Sequence, residues 1–305
     1  MKKQGPRRID TVADYHTMVG LPAPEHPLLS VIDIVCPAVR PDLPDDSMYM
    51  GLYNIFLKRN IDGMFGYGRR NYDFSNGIMG FSSPGQVFSF NHELDLSKIS
   101  GILLLIHPDF LRNHPVQKKM EDLGFFSYNM NEALHLSPRE EIQITRIMTD
   151  IREEYLQPID AFSRDVVISH VDVLLNYANR FYNRQFITRS TSAEEPVLRF
   201  EALLNGFFAK EEITVLPAVQ DLAAQMNISA HYLSDMLRSL TGMSAQQHIH
   251  NKLIEKAKAI LLSTSLSVNE TAYQLGFEYP QYFNRLFKSK TGLTPAAFRK
   301  AAMDN

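Results

Sequence analysis

Two stretches fifty residues apart carry one pattern, and no other feature restricts what this chain can fold into as strongly. LSDMLRSLTGMSAQQHI (Leu233 to Ile249) aligns with FNRLFKSKTGLTPAAFR (Phe283 to Arg299), pairing Ser239 with Ser289, Thr241 with Thr291 and Gly242 with Gly292. Ahead of each lies a short helical pattern with a small residue inside it, DLAAQMNI (Asp221 to Ile228) and ETAYQLGF (Glu270 to Phe277), and the second copy has one extra residue in its turn. In that second copy Ser267 and Glu270 form a capping box, and Leu275-Gly276-Phe277 stops the helix after two turns. The next helix starts near Tyr279, with Pro280 in the first turn where its missing N–H costs nothing, and ends at Gly292. Phe283, Leu286 and Phe287 recur at i, i+3 and i+4 and face a core, whereas Gln281, Tyr282, Asn284, Arg285 and Lys288 point away from it. From Gln281 to Lys300 there are five basic residues and no acidic one. Gln, Asn and Arg on an exposed helix supply the donors and acceptors that read base edges, and Lys288 and Lys290 suit phosphates. Taken alone, the window also reads as a solvated amphipathic helix; its repetition argues for a double helix-turn-helix. Between the copies Ser244 caps a helix running to about Leu262, roughly 28 Å long and of the order of one DNA turn, so two reading helices reach successive major grooves.

With these motifs, their spacing and the AYQLGFEYPQYFNRLFKSKTGLTPAAFR ending, the last ninety residues or so resemble the DNA-binding domain of the AraC/XylS transcription regulators. The resemblance implies base-facing positions at Gln281, Tyr282 and Arg285 in the second motif and at His231, Ser234 and Asp235 in the first, with Arg238, Asn284 and Lys288 completing the expected DNA-binding set. Asp235 departs from the pattern, since a carboxylate repels phosphate and only accepts hydrogen bonds, for example from a cytosine amino group. The second motif therefore carries more weight.

The net charge of -3 over 305 residues does not by itself suggest a nucleic-acid binder, but the basic cluster at 281–300 is local, as a groove-docking patch requires. One cysteine, Cys36, excludes an intrachain disulfide and fits a reducing interior, and the longest apolar run, ILLLI at 102–106, is too short to cross a bilayer. No apolar stretch follows the charged MKKQGPRRID start, so the expectation is a cytoplasmic protein without a signal peptide.

Residues 1 to about 47 read as an arm with one strand, Leu28 to Val35. From Met48 to His107, MYMGLYNIFLKR, GMFGYGRR, GIMGFSS, QVFSF and GILLLIH are short aromatic and branched runs separated by Gly, Asn, Asp and Pro, which suggests a small barrel or jelly roll. The resemblance implies a cupin-type effector barrel here. The metal-binding cupin pattern of histidines is absent; His92-Glu93 and His107 read as turn or capping residues, no nucleophile–base or carboxylate pair stands at a recognisable spacing, and no catalytic residue, metal or cofactor is expected. Alternation sends about half of Tyr49, Tyr53, Phe56, Phe65, Tyr67, Tyr72, Phe74, Phe81, Phe88 and Phe90 inward, and Tyr hydroxyls, Asn54 or Arg69-Arg70 are candidates to orient an uncharged or weakly polar effector.

After a loop-rich passage to about Leu136, Pro138 opens a helix with the apolar stripe Ile144, Ile147, Met148, Ile151 and Tyr155. A second helix runs from about Ala161 to Phe186, where Phe162, Val166, His170, Val173, Tyr177 and Phe181 recur at spacings of three and four; the stripe reads either as intradomain packing or as a dimer interface. The expected fold is a multidomain α+β chain: a cupin-like jelly-roll barrel (1–136), a helical dimerisation region (137–186), a polar linker (187–196) and an all-α double helix-turn-helix domain (197–305, motifs near 218–242 and 267–292). The expected function is an AraC-type regulator bound to double-stranded promoter DNA as a homodimer, without a membrane association, modulated by a small organic effector and working with RNA polymerase. A second reading remains open: a cupin-like enzyme or sugar-binding protein whose helical tail serves assembly.

Overall fold

In the computed structural model, residues 6–34, 47–59, 77–89, 99–129, 132–190, 194–210 and 213–303 are described. The chain divides into two units, 1–185 and 186–305.

The first unit contains β1 (Arg7–Ile9), α1 (Val12–Val19), β2 (Leu29–Ile34), β3 (Ser47–Met50), β4 (Tyr53–Arg59), β5 (Ile78–Ser82), β6 (Gln86–Ser89), β7 (Ser100–Ile106), α2 (Pro115–Asp122), β8 (Leu134–His135) and α3 (Pro138–Tyr155), followed by α4 (Ser163–Ser190), which begins in it. The strands form a three-stranded sheet in the order β1-β3-β6 and a five-stranded one in the order β2-β7-β4-β5-β8. Among the described residues the strands form these two sheets and do not close into a barrel. Spacing and composition identify strands but not closure, which depends on which edges pair. The GMFGYGRR run, with Phe65, Tyr67, Arg69, Arg70, Tyr72 and Phe74, lies outside the described residues, as do Cys36, Phe90 and the His92-Glu93 pair.

Alternation decides which strand residues meet which layer. Phe56 of β4, with Leu103 and Leu105 of β7, packs against Ile9, Met48 and Met50 of the small sheet. Gly80 lies opposite Phe56, and any Cβ there would sit 2.3 Å from the Phe56 ring. On the other face, Phe81 packs edge-on or tilted against Phe125, Phe126 and Tyr182 at centroid distances of 4.4–6.3 Å, and Tyr53 meets Phe126 edge-on at 5.7 Å. Tyr53, Phe56 and Phe81 are all buried, so aromatics on both faces of the five-stranded sheet are packed core. Arg59 pairs with Glu141 of α3 and donates to the Thr145 hydroxyl at 3.0 Å, while the other Glu141 oxygen accepts from Gly77 N–H at 3.0 Å, fastening that helix to β4 and the start of β5.

Two helices occur where none was expected. Thr11 and Asp14 make a capping box and Gly20 a left-handed C-cap around α1, inside the proline-bearing arm, and His114 and Pro115 open α2 in the loop-rich passage. The T-x-x-D spacing is the local signal for α1. His107 does cap a turn, its Nδ1 accepting from Asp109 N–H at 3.2 Å. Ser137 and Glu140 box the start of α3, whose Ile144, Ile147, Met148 and Ile151 are buried as the stripe requires.

The polar segment read as a linker is helical at both ends: Ile187 to Ser190 extend α4, and Glu194 begins α5 (Glu194–Phe208). Polarity without apolar periodicity does not stop a helix; Pro and Gly do, and this segment reaches Ser190 before either. The second unit continues with α6 (Val219–Gln225), α7 (Ala230–Thr241), α8 (Ala245–Ser263), α9 (Val268–Gln274), α10 (Pro280–Thr291) and α11 (Pro295–Met303). Its core joins Phe200 and Leu204 of α5 to Leu233 and Leu237 of α7, Leu253 and Ala257 of α8, and Phe283 and Phe287 of α10. Among the described residues no helix is long and apolar enough to cross a membrane.

Candidate nucleic-acid interface

The second helix-turn-helix is built as its sequence dictates. Ser267 and Glu270 complete the capping box of α9, and these hydrogen bonds, the Ser267 side chain first, hold the Glu270 carboxyl below its usual range. The turn depends on Gly276, at φ 82°, where a Cβ would lie 2.8 Å from the Ile213 carbonyl oxygen. Ile213 N–H in turn donates to the Gln274 carbonyl at 3.0 Å, so the strap before α6 closes over the end of α9. Phe283 and Phe287 are fully buried, and Phe287 meets Phe298 of α11 edge-on at 5.5 Å. Fixing those two rings inward turns Gln281, Tyr282, Arg285 and Lys288 outward; Asn284 is half-buried. Among the described residues, the side chains of Gln281, Arg285 and Lys288 engage no hydrogen-bond or ion-pair partner, which leaves a cationic, donor-rich face uncommitted.

The local basic cluster is smaller than its count. Arg299 Nε donates to the Leu261 carbonyl at 2.8 Å, capping the end of α8, and Lys290 Nζ donates to Asn251 Oδ1 at 3.3 Å. Both side chains join helices to each other, a role that a one-dimensional charge count does not separate from phosphate binding.

The first motif repeats the framework with different surface chemistry. Ser229 caps α7 through Tyr232 N–H, and Asn227, at φ 58°, stands where the second motif has Gly276. Thr241 and Thr291, paired in the repeat, make the same two bonds. Each hydroxyl donates to the carbonyl four residues back, at 2.8 and 2.9 Å, and accepts from the N–H two residues on, at 3.3 Å in both. Gly242 and Gly292 follow in the left-handed region at φ 77° and 79°, so the Thr-Gly match of the sequences is a duplicated helix stop. Outside this frame His231 is exposed and Ser234 half-buried, but Arg238 Nη1 lies 2.7 Å from Asp235 Oδ1. The two charges of the first reading helix thus offset each other. Burial holds His248 and His250 of α8 below the usual imidazole value, with Lys290 adding to the effect at His250 and Glu201 opposing it at His248.

Residues 222–301 match a family described as a helix-turn-helix domain, a match that takes in both reading helices and the long helix between them. The C-terminal domain is of the AraC type. Relatives of this AraC-type domain include the HTH-type transcriptional regulator YfiF of Bacillus subtilis, 30% identical over 157 residues, which are 49% of this chain and 47% of that protein. The MmsAB operon regulatory protein of Pseudomonas aeruginosa is 31% identical over 99 residues, 32% of either chain. The transcriptional activator RhaR of Cronobacter sakazakii is 32% identical over 82 residues, 27% of this chain and 29% of that one. The chain spans about half the length, or less, of the curated relatives it matches.

Proposed function

We propose that this chain is a sequence-specific regulator of transcription that binds double-stranded promoter DNA through its AraC-type domain. The observation that carries the reading is the exposed, uncommitted face of α10, where Gln281, Arg285 and Lys288 stand together without a carboxylate partner among the described residues. Arg285 supplies a bidentate donor for a base edge and Lys288 a point charge for phosphate, while the α7 face, with Asp235 and Arg238 paired, contributes orientation more than affinity. Selection of bound fragments from genomic DNA with the full chain tests this directly. On the selected site, Arg285→Ala should weaken binding by about 1–3 kcal/mol and relax preference at one base pair, and Lys288→Ala should weaken binding to all sequences and flatten the salt dependence by about one unit of slope. Wild-type affinity in both variants, measured by titration across salt, would remove α10 as the reading surface. An assembly tail on an enzyme or sugar-binding protein would instead show no DNA affinity for salt to weaken.

The same reading includes a homodimer joined through α4. Phe162, Val166 and Val173 are 72%, 37% and 43% exposed, which supports an apolar face available to a second copy, with His170 and Tyr177 at its margin. Phe181, expected in that stripe, is only 7% exposed and packs beside Tyr177 at 5.7 Å, so it belongs to the intrachain core. RNA polymerase completes the proposed set of partners. An effector in the first unit is supported by Asn54 Oδ1 and Ser82 Oγ, which belong to residues paired across β4 and β5, are buried, and lack hydrogen-bond partners among the described residues. A compound acting there must raise the melting temperature of the first unit and change operator affinity together, and a broad metabolite screen without one such compound would remove this element.

A further inference from the structure

One residue type occupies the same place in both copies and has two fates. Tyr232 and Tyr282 are equivalent in the repeat, each standing immediately before the first buried apolar residue that the copies share, Leu233 or Phe283. Tyr232 is 4% exposed and packs edge-on against Phe186 at 5.1 Å, so its ring is part of the core. Tyr282 is 58% exposed, and its ring neighbour is Tyr279, itself 50% exposed, at 5.9 Å and 85°. Among the described residues, no side chain accepts from or donates to the hydroxyl of Tyr279 or Tyr282. The position equivalent to Tyr279 in the first copy is Ser229, which caps α7, whereas Tyr279 starts α10 without any side-chain cap. Two aromatic residues thus replace a buried ring and a capping hydroxyl, and neither serves the fold in the way its counterpart does.

We propose that Tyr279 and Tyr282 form an aromatic platform that recognises the C5-methyl group of thymine in the target site. This inference rests on the reading of α10 as the helix that enters the major groove. The rings sit within two helical turns of Arg285, on the end of the helix that approaches base edges in helix-turn-helix docking. The thymine methyl is the single apolar feature displayed on the major-groove edge of the base pairs, and a tyrosine ring cannot make the bidentate contacts that identify guanine or adenine. The edge-to-face pairing fixes Tyr282 against Tyr279 and lowers the side-chain freedom lost on contact. Phosphate contact by the hydroxyls alone is the competing use of the pair, and it is indifferent to the methyl group.

The experiment uses the full chain on its selected duplex, with each thymine replaced in turn by uracil, which removes only the methyl. Wild type should lose about fourfold in affinity at one or two positions, the effect of leaving one methyl-sized group out of contact. Tyr282→Ala should bind more weakly and become indifferent at those positions, and Tyr282→Phe should keep the sensitivity, because the ring and not the hydroxyl makes the contact. Tyr279→Ala should reduce it. An unchanged melting temperature confirms that Tyr282→Ala is folded. If wild type binds its site tightly but ignores every thymine-to-uracil change, or if Tyr282→Ala or Tyr282→Phe behaves oppositely to these expectations, the platform is refuted while the reading helix stands. If no duplex is bound specifically at all, both fall.

Discussion

Phe287→Ala should lower the stability of the C-terminal domain by about 3–5 kcal/mol, the range for emptying a buried aromatic site. The ring is fully buried, with Phe283 at 5.7 Å on its own helix and Phe298 at 5.5 Å on α11, so its removal opens a void at the junction of these helices. Domains of this size hold roughly 5–15 kcal/mol in total, and the loss corresponds to a fall in melting temperature on the order of 10–25 °C. Calorimetry of the full chain should show that fall in the transition of the second unit only, and DNA binding should disappear at temperatures where that transition is under way. Phe287→Leu, which keeps most of the apolar volume, should cost far less. A shift of only a few degrees in the alanine variant would mean that α10 is not held by this cluster.

The second large effect concerns α4. Phe162→Glu with Val173→Glu places two carboxylates on the exposed apolar face proposed to join two copies, at a cost to association of several kcal/mol because neither finds a partner there. Sedimentation should report a monomer whose melting temperature stays near that of the wild type, since both positions are exposed in the single chain. An unchanged mass in the variant, or a wild type already monomeric at high concentration, would sink the dimer reading. Phe181→Glu is unsuitable for this purpose: at 7% exposure it would bury a charge within the chain and unfold it.

These two variants mark where the sequence was informative. In the second unit the helix starts and stops are written in local chemistry, a Ser with Glu three residues on, a Pro in the first turn, a Thr-Gly ending, and such signals act within one or two turns of chain. The buried and exposed faces of α10 followed from the spacing of Phe283 and Phe287. What was not legible there was Arg299 and Lys290, whose partners Leu261 and Asn251 are 38 and 39 residues away in sequence. In the first unit the strands were legible from branched and aromatic runs, but their assembly was not. Pairing β2 with β7 joins Leu29 to Ile106 and Ile34 to Gly101, residues far apart in the chain, and no local spacing states which edges meet. The α4 stripe failed at Phe181 for a related reason: a helix touched on more than one side buries residues outside a single seam, and a periodicity of three and four does not show which side meets its own chain.

The unlike surfaces of α7 and α10 carry a consequence for the DNA. Two identical reading faces would select the same bases in both halves of a site. Here one face bears a self-neutralised Asp235–Arg238 pair and the other Arg285, unpaired among the described residues, beside two tyrosines, and the turns that aim the two helices differ by one residue. On the proposed DNA-binding reading, a single chain therefore meets the duplex with two different faces. For the proposed pair of copies, the spacing and orientation of their two DNA elements would then set whether they point the same way or face one another, and reversing one element without changing its base pairs should weaken joint occupancy.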